Sequence, residues 1–587
     1  LYSAQTWPES LGYKLNFMGD PIKTNQNEKE QYSYDAIVVG SGITGGLAAK
    51  ELCEKGLKTL VLERGGNVEH ITGYKTANML PWEFDHRLRL TNDQIEQNPV
   101  QSMAGDPGTL PFFASDKEHP YIQEKPFNWG RGYQVGGKSL TWGRQCFRYS
   151  DLDFEANLKE AVGVDWPVRY KDIAPWYDYV ENYIGISGKN EGLPHLPDGI
   201  FLPPMEMNCV EDHFSSKVRS NYKDRIVTIG RVANLTRGWN GRGPCQYRNL
   251  CSRGCPFGGY YSSNAASLPA AAATGNMTLK PDSIVVEVLY DAKNNRASGV
   301  RVMDAITRKV TEYTARIIFL NASAIATAAL LLNSKSASFP TGLGNSSGQL
   351  GHNLMDHFTG TGAEAQFDGF KDKYHSGRRP VGIYVPRFRN ISKETTQKGF
   401  TRGYGLQGMG GRANWQEQGR LVKGFGKDFK EQLLQPGPWA LWLGGWGETL
   451  PYFENKITLD DHEKDQWGLP LVKINYEYHD NEKAIQKDML ASIEEMLTTA
   501  GFKNIKSYSH FQPGGSAFHE MGTARMGKDP KTSVLNQFNQ LHDVKNVFVT
   551  DGSFMTSSGT ANPSLTYMAF TARACDYAVN ELKKGTL

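Results

Sequence analysis

No run in this 587-residue chain is both long and apolar enough to cross a membrane. The most apolar stretch, residues 317–332, is interrupted by Asn321 and Ser323 and falls short of the roughly 20 residues a spanning helix needs. Neither sign of charge is in excess: 65 Lys and Arg against 62 Asp and Glu leave +3, so nothing argues for nucleic acid or an anionic membrane as partner. Cysteine is scarce and odd in number. The seven are Cys53, Cys146, Cys209, Cys245, Cys251, Cys255 and Cys575, which argues against a complete disulfide framework. No signal peptide is visible, and the chain starts at Leu1 rather than methionine, so a piece upstream that was removed or is missing is expected. What is plentiful is glycine, with 62 residues, and tryptophan, with 12, as suits a loop-rich enzyme that binds a cofactor and a polyol. The length allows more than one core.

The most informative stretch runs from Tyr34 to Ala49. Ala36 to Val39 read as a buried parallel strand, and Gly40, Gly42 and Gly45 follow at the G-x-G-x-x-G spacing. Leu47, Ala48 and Leu52 continue on a helical period, and a second apolar run, Thr59 to Leu62, ends in Glu63 and Arg64. This is a complete βαβ unit for a dinucleotide. Gly40 permits the tight turn, Gly42 the approach of a pyrophosphate, and Gly45 close packing of helix on strand. Glu63 stands where an adenosine ribose needs a carboxylate, with Arg64 beside it at the cofactor.

Residues 1–33 are polar and unpatterned and are expected to form an arm. Residues 67–126 carry no long periodic segment and read as an excursion that covers the cofactor. Then Trp129 to Gly143 offers glycine pairs between aromatics, Gly136 and Gly137 among them, whose backbone N–H groups suit an anion or a ring edge. Further on, Cys245, Cys251 and Cys255 lie at C-x₅-C-x₃-C with Pro256 straight after. Three thiolates are too few for a closed zinc site, and no histidine is near to complete one. Iron–sulfur clusters are held by cysteine thiolates, often with a trailing proline. The alternative is three free or partly disulfide-bonded thiols.

Arg131, Gly136, Gly137 and Ser139 fit R-G-x-x-x-G-G-x-S, and here the chain resembles the glucose–methanol–choline (GMC) family of flavin oxidoreductases. Gly351 to His357 fits G-x-N-L-x-D-H, with His352 and His357 read as structural. Phe518 to Gly527, Val547 to Ser553 with Asp551 and Gly552, and Asn562-Pro563-Ser564-Leu565-Thr566 follow in the family's order. The resemblance spans the chain from Tyr34 to about Tyr577. It implies an α/β fold with an added antiparallel sheet: a Rossmann-like FAD-binding domain and a discontinuous substrate-binding domain. The expected pieces are FAD-binding at 34–150, 245–364 and 515–587, the middle one opening with the cysteine loop, and substrate-binding at 151–244 and 365–514. Within the last, Arg387 to Asn390 and Lys456 to Leu459 read as strands, 483–500 as a helix, and Trp439, Trp442, Trp446 and Trp467 as partly core and partly sugar-stacking.

What the resemblance implies for chemistry is specific. His519 takes the hydroxyl proton as a hydride leaves for flavin N5, and Asn562 orients the same hydroxyl. FAD is held by the glycine motifs, Glu63, Arg64, Arg131, Ser139, the Val286 backbone at the adenine, Asp551, Gly552, Asn562 and Pro563. It is held noncovalently, because Thr141 stands where pyranose oxidases have the linking histidine. In bacterial sugar dehydrogenases the three-cysteine spacing holds a [3Fe–4S] cluster on Cys245, Cys251 and Cys255. Their partners are a small chaperone-like subunit and a multihaem cytochrome c, in the periplasm. The expected activity is oxidation of a sugar or glycoside, with C3 of a glucoside favoured over C1. The other readings are a pyranose-oxidase-like enzyme, for which the cysteines have no use, and a non-redox lyase of the same fold.

Overall fold

A computed structural model describes residues 33–374, 381–413, 419 and 422–587. The expected N-terminal arm therefore lies almost wholly outside the described residues.

The first sheet has seven strands, and the βαβ unit forms its centre. Ser33–Val39 pairs in parallel with Thr59–Leu62 on one side and with Val310–Leu320 on the other. Met277–Lys280 extends it in parallel beyond Thr59–Leu62. Val310–Leu320 is long enough to serve two neighbours along its other edge. Its first half pairs antiparallel with Arg296–Asp304, and its last residues pair in parallel with Val547–Val549. Ser283–Asp291 closes that side as a hairpin partner of Arg296–Asp304. The central strands are apolar on both faces because helices cover both: Ala36, Ile37, Val38, Leu60, Val61, Ile317 and Ile318 are completely buried or nearly so. Helix Ile43–Glu54 lies on one face beside helix Ser564–Lys584.

The second sheet is antiparallel and six-stranded. Its order is Lys503–Ser509, Thr361–Phe367, Trp439–Gly447, Tyr404–Arg412, Ile383–Val385 and Thr228–Ile229. Side chains alternate between its faces. Leu406, Leu441, Leu443, Ala363 and Ala365 are buried with Ile485, Met489, Ile493 and Met496 of helix Asp480–Thr499. Gln407 pairs with Gly444 in the ladder, so Trp442 and Trp446 share its face, opposite to that helix.

Two expected strands differ. Arg387 to Asn390 are not a strand; the strand is Ile383–Val385. Pro386 has no N–H to continue the ladder, and Arg387 turns to donate to the Arg389 carbonyl. Lys456–Lys464 is a strand, but it does not join the substrate sheet. It pairs with Pro470–Asn475, which pairs in turn with Ile122–Gln123. Ile457 and Ile474 are buried in the core of the first unit with Leu331 and Leu350, which draws this hairpin to that side.

Candidate functional site

One cavity runs along the ends of the parallel strands, where an open α/β sheet places its ligand. It is lined at one end by Gly40, Gly42, Glu63, Arg64, Val285 and Asn321, and at the other by Arg144, Gln145, Phe518, His519 and Asn562.

The glycines divide their work. A side chain on Gly42 would meet nothing within 4 Å, because that face is open to the cavity. One on Gly45 would stand 1.9 Å from the Gly40 carbonyl oxygen, so Gly45 serves helix-on-strand packing and does not line the cavity. The amide and hydroxyl of Ser41 donate to Glu63 at 3.0 and 2.6 Å, and Gly65 N–H donates to its other oxygen at 3.1 Å. Burial raises the Glu63 pKa while these bonds oppose the shift. The second motif locks onto the first through Ser41, whose hydroxyl accepts the Gly136 N–H at 3.0 Å.

Of the remaining expected cofactor residues, Arg131, Gly137, Ser139, Asp551 and Gly552 line the cavity. Arg131 is anchored to Asp116 at 3.0 Å and organises its own loop as well. Gly136 and Pro563 do not line it; Gly136 packs against Asn264, and Pro563 precedes helix Ser564–Lys584. Val286 is one residue out of register. Val285 faces the cavity, while the Val286 carbonyl accepts from Asn333. Successive strand residues point to opposite faces, so a shift of one exchanges them. Asn321 to Ala324, where the family's Ala-Gly-Ala is absent, do line the cavity. Ser323 takes φ 86 and ψ 157 to do so, a region almost confined to glycine.

Several buried polar atoms along this cavity have no partner within the described protein: Arg64 Nε, Arg144 Nε, Gln145 Oε1, Asn321 Nδ2 and Glu520 Oε1. Unpaired buried polar groups are costly, and a polar ligand that supplies both donors and acceptors would satisfy them. Helix N-termini at Ile43, Ala324 and Ser564 converge on the same space and favour phosphate charge. The residues present fit a dinucleotide cofactor.

At the other end stands His519, fully buried among its neighbours. Its Nδ1 is 2.9 Å from His357 Nδ1, and its Nε2 is 3.3 Å from Asn562 Nδ2. Burial drives its pKa well below the ordinary histidine value, and His357 and Lys138 add to the shift. It is therefore neutral at pH 7, as a proton acceptor must be. Gln407 donates to Asn562 Oδ1 at 2.9 Å, and Gln145 donates to Gln407 at 3.0 Å.

Two family models match the chain, both described as GMC oxidoreductase: one over residues 34–359, the other over 451–571. The chain belongs to the GMC oxidoreductase family. Over 569 residues it is 29% identical to the 2-methyl-1,2-propanediol dehydrogenase of Mycolicibacterium austroafricanum, covering 92% of this chain and 94% of that protein. It is 26% identical to the fructose dehydrogenase large subunit of Gluconobacter japonicus, covering 95% and 99%. Among solved structures it shares the fold of an Aspergillus oryzae formate oxidase, with a TM-score of 0.60 at 15% identity, over 95% of this chain and 100% of that one. The GMC assignment makes the chain a FAD-dependent oxidoreductase acting on CH–OH groups.

Other residues of this GMC site were not singled out from the sequence. His357, read there as structural, touches His519. Gln407 is the one amide side chain in the glycine-rich strand Tyr404–Arg412, a signal that would have marked it. Lys138 and Glu520 form an ion pair at 3.1 Å on the cavity wall. The expected sugar-stacking tryptophans do not line the cavity. Trp439 is core, Trp442 donates to the Tyr508 hydroxyl at 2.8 Å, and Trp467 stacks on His119 beside Arg64. Trp142 does line it.

Cys245, Cys251 and Cys255 are free thiols on one half-buried loop. Burial raises the pKa of Cys245 and Cys255, and charge on Cys251 would raise both further, so the three lie close together. Backbone N–H groups of Tyr247 and Gly259 donate to the sulfurs of Cys245 and Cys255 at 3.4 and 3.3 Å. Among the described residues no three His, Cys, Asp or Glu side chains are arranged to hold a metal ion. The donor chemistry suits a soft metal centre; the sulfurs do not form a closed ligand set.

Proposed function

We propose that this protein is a FAD-dependent dehydrogenase that oxidises a secondary hydroxyl of a sugar or glycoside, with C3 of a glucoside as the favoured position. The observation that carries the reading is the pair His519 Nε2 and Asn562 Nδ2, 3.3 Å apart at the end of the cofactor cavity. A hydroxyl between them meets a neutral imidazole as base and an amide that holds its oxygen. When bound, FAD supplies the two-electron hydride acceptor. Arg144, Gln145 and Gln407 surround this end with polar groups suited to a polyol. The fructose dehydrogenase large subunit and a paromamine 6'-oxidase from Streptomyces fradiae, 26% identical, are relatives named for carbohydrate substrates. Methyl glucoside tests the position of attack, because its blocked anomeric carbon forms no lactone. Comparable dye reduction with methyl glucoside and free glucose, with a 3-keto product by NMR, is expected. Activity on glucose alone assigns the enzyme instead as a glucose 1-dehydrogenase.

We further propose that Cys245, Cys251 and Cys255 hold a [3Fe–4S] cluster, a one-electron carrier. Supporting it are the thiol spacing, the two N–H donors to sulfur, and Arg144 and Arg248, which favour the thiolates. The sulfurs would have to close around such a cluster. A cytochrome-type acceptor, a small partner subunit and a periplasmic location belong to the same proposal; the relative from Gluconobacter is named as one subunit of a larger enzyme. Among the described residues no helix is long and apolar enough to cross a membrane.

A further inference from the structure

The geometry points to His357 as the positioning residue that sets the tautomer of His519, and so decides which nitrogen of the base is free. This rests on the reading of His519 as the base.

The argument starts from Gly559, whose carbonyl oxygen only accepts. His357 Nε2 is in hydrogen-bond contact with that oxygen, so Nε2 carries the hydrogen. A neutral imidazole has one N–H, and His357 is neutral, since burial lowers its pKa to about 4. Its Nδ1 is therefore a lone pair. The atom facing that lone pair is His519 Nδ1, at 2.9 Å, and two lone pairs do not hold each other there. His519 Nδ1 must carry the hydrogen and donate it, which leaves His519 Nε2 bare. The far end of the chain of bonds agrees. Gln145 donates to Gln407 and Gln407 to Asn562 Oδ1, which turns the Asn562 NH₂ toward His519 Nε2, where an acceptor is needed. One carbonyl thus orients the whole row.

The ordering matters to the chemistry. The substrate hydroxyl gives its proton to Nε2, and the carbon's hydrogen leaves with two electrons to the bound cofactor. His519 becomes an imidazolium whose Nδ1–H is already held by a neutral acceptor. With the opposite tautomer Nε2 would present a hydrogen to the hydroxyl and no base. The charged groups facing the pair are Lys138, ion-paired with Glu520, and Asp356, which accepts the His519 backbone N–H at 3.0 Å.

Two variants separate this from mere packing. His357→Asn places an amide oxygen near the position of Nδ1 and gives up the bond to Gly559. His357→Gln reaches Gly559 but has no acceptor near Nδ1. Both are measured as FAD-loaded protein, by kcat and KM against pH with saturating dye. We expect His357→Gln to lose about 10- to 100-fold in kcat, with KM within a few fold and the acid limb of kcat moved to lower pH. His357→Asn should keep most of kcat. Equal loss in both, or loss confined to Asn, overturns the inference. His519→Ala is the control: near-normal turnover there defeats the base reading itself, whereas its loss together with an undamaged His357→Gln defeats only the role of His357.

Discussion

The carboxylate of Asp356 accepts the backbone N–H of His519 at 3.0 Å and that of Ala517 at 3.2 Å, which pins the segment that carries the base. Burial raises this carboxyl to about 7, helped by nearby Glu520, and lowers its neighbour His357 to about 4.

The two shifts have opposite effects on stability. The Asp356 carboxyl binds an extra proton in the folded state between its unfolded value near 4 and about 7, so its contribution is lost as pH rises through 7. The imidazole of His357 binds fewer protons when folded between about 4 and 6.5, so its contribution is lost as pH falls through 4. Between pH 4 and 6.5 the slopes oppose each other. Asp356→Asn removes one of them, and the variant should lose on the order of 3 kcal/mol more than the parent on acidification from 6.5 to 4. Denaturant titrations across that range measure the slope; identical slopes in both proteins would refute the assignment.

His519→Ala should lower turnover by roughly 10²- to 10⁴-fold, the usual worth of a placed general base, with FAD retained. Asn562→Ala should cost less, since an orienting bond is lost and the base remains. Pre-steady-state reduction by substrate reads both directly, and an Asn562 effect larger than that of His519 would reverse the roles.

All of the FAD should be extractable. Thr141 lines the cavity and has no ring nitrogen to bond the flavin. Acid precipitation is expected to leave the yellow colour in the supernatant; colour in the pellet would disprove noncovalent binding.

Changing Cys245, Cys251 or Cys255 singly to Ser should abolish an iron–sulfur signal in electron paramagnetic resonance. Flavin reduction by sugar should continue while transfer to a cytochrome acceptor stops. Iron-free protein from cells with active cluster assembly would rule the cluster out.

Ser323 adopts a backbone conformation that glycine adopts freely, at the point where the sheet meets the cavity. Ser323→Gly should relieve strain of about 1–3 kcal/mol, seen as a higher Tm with unchanged FAD content. A lower Tm would show that the serine side chain is worth more than the strain.

The sequence by itself determined the local elements whose signals are local. The βαβ unit was legible because strand apolarity, glycine spacing and the terminal acid lie within about thirty residues. Gly45 was assigned its packing role from spacing alone, and the helix carrying Ile485, Met489 and Ile493 showed its period. What only the tertiary structure decided is pairing at a distance. Val285 rather than Val286 faces the cavity because one step along a strand turns a side chain over. The hairpin Lys456–Lys464 went to the first unit because Ile457 found its core there, which no period in the strand records. Above all, His357 and Gln407 stand 162 and 112 residues from His519 in the chain. Their hydrogen-bond partners follow from where the two sheets meet, so a motif match placed the base but not the groups that orient it.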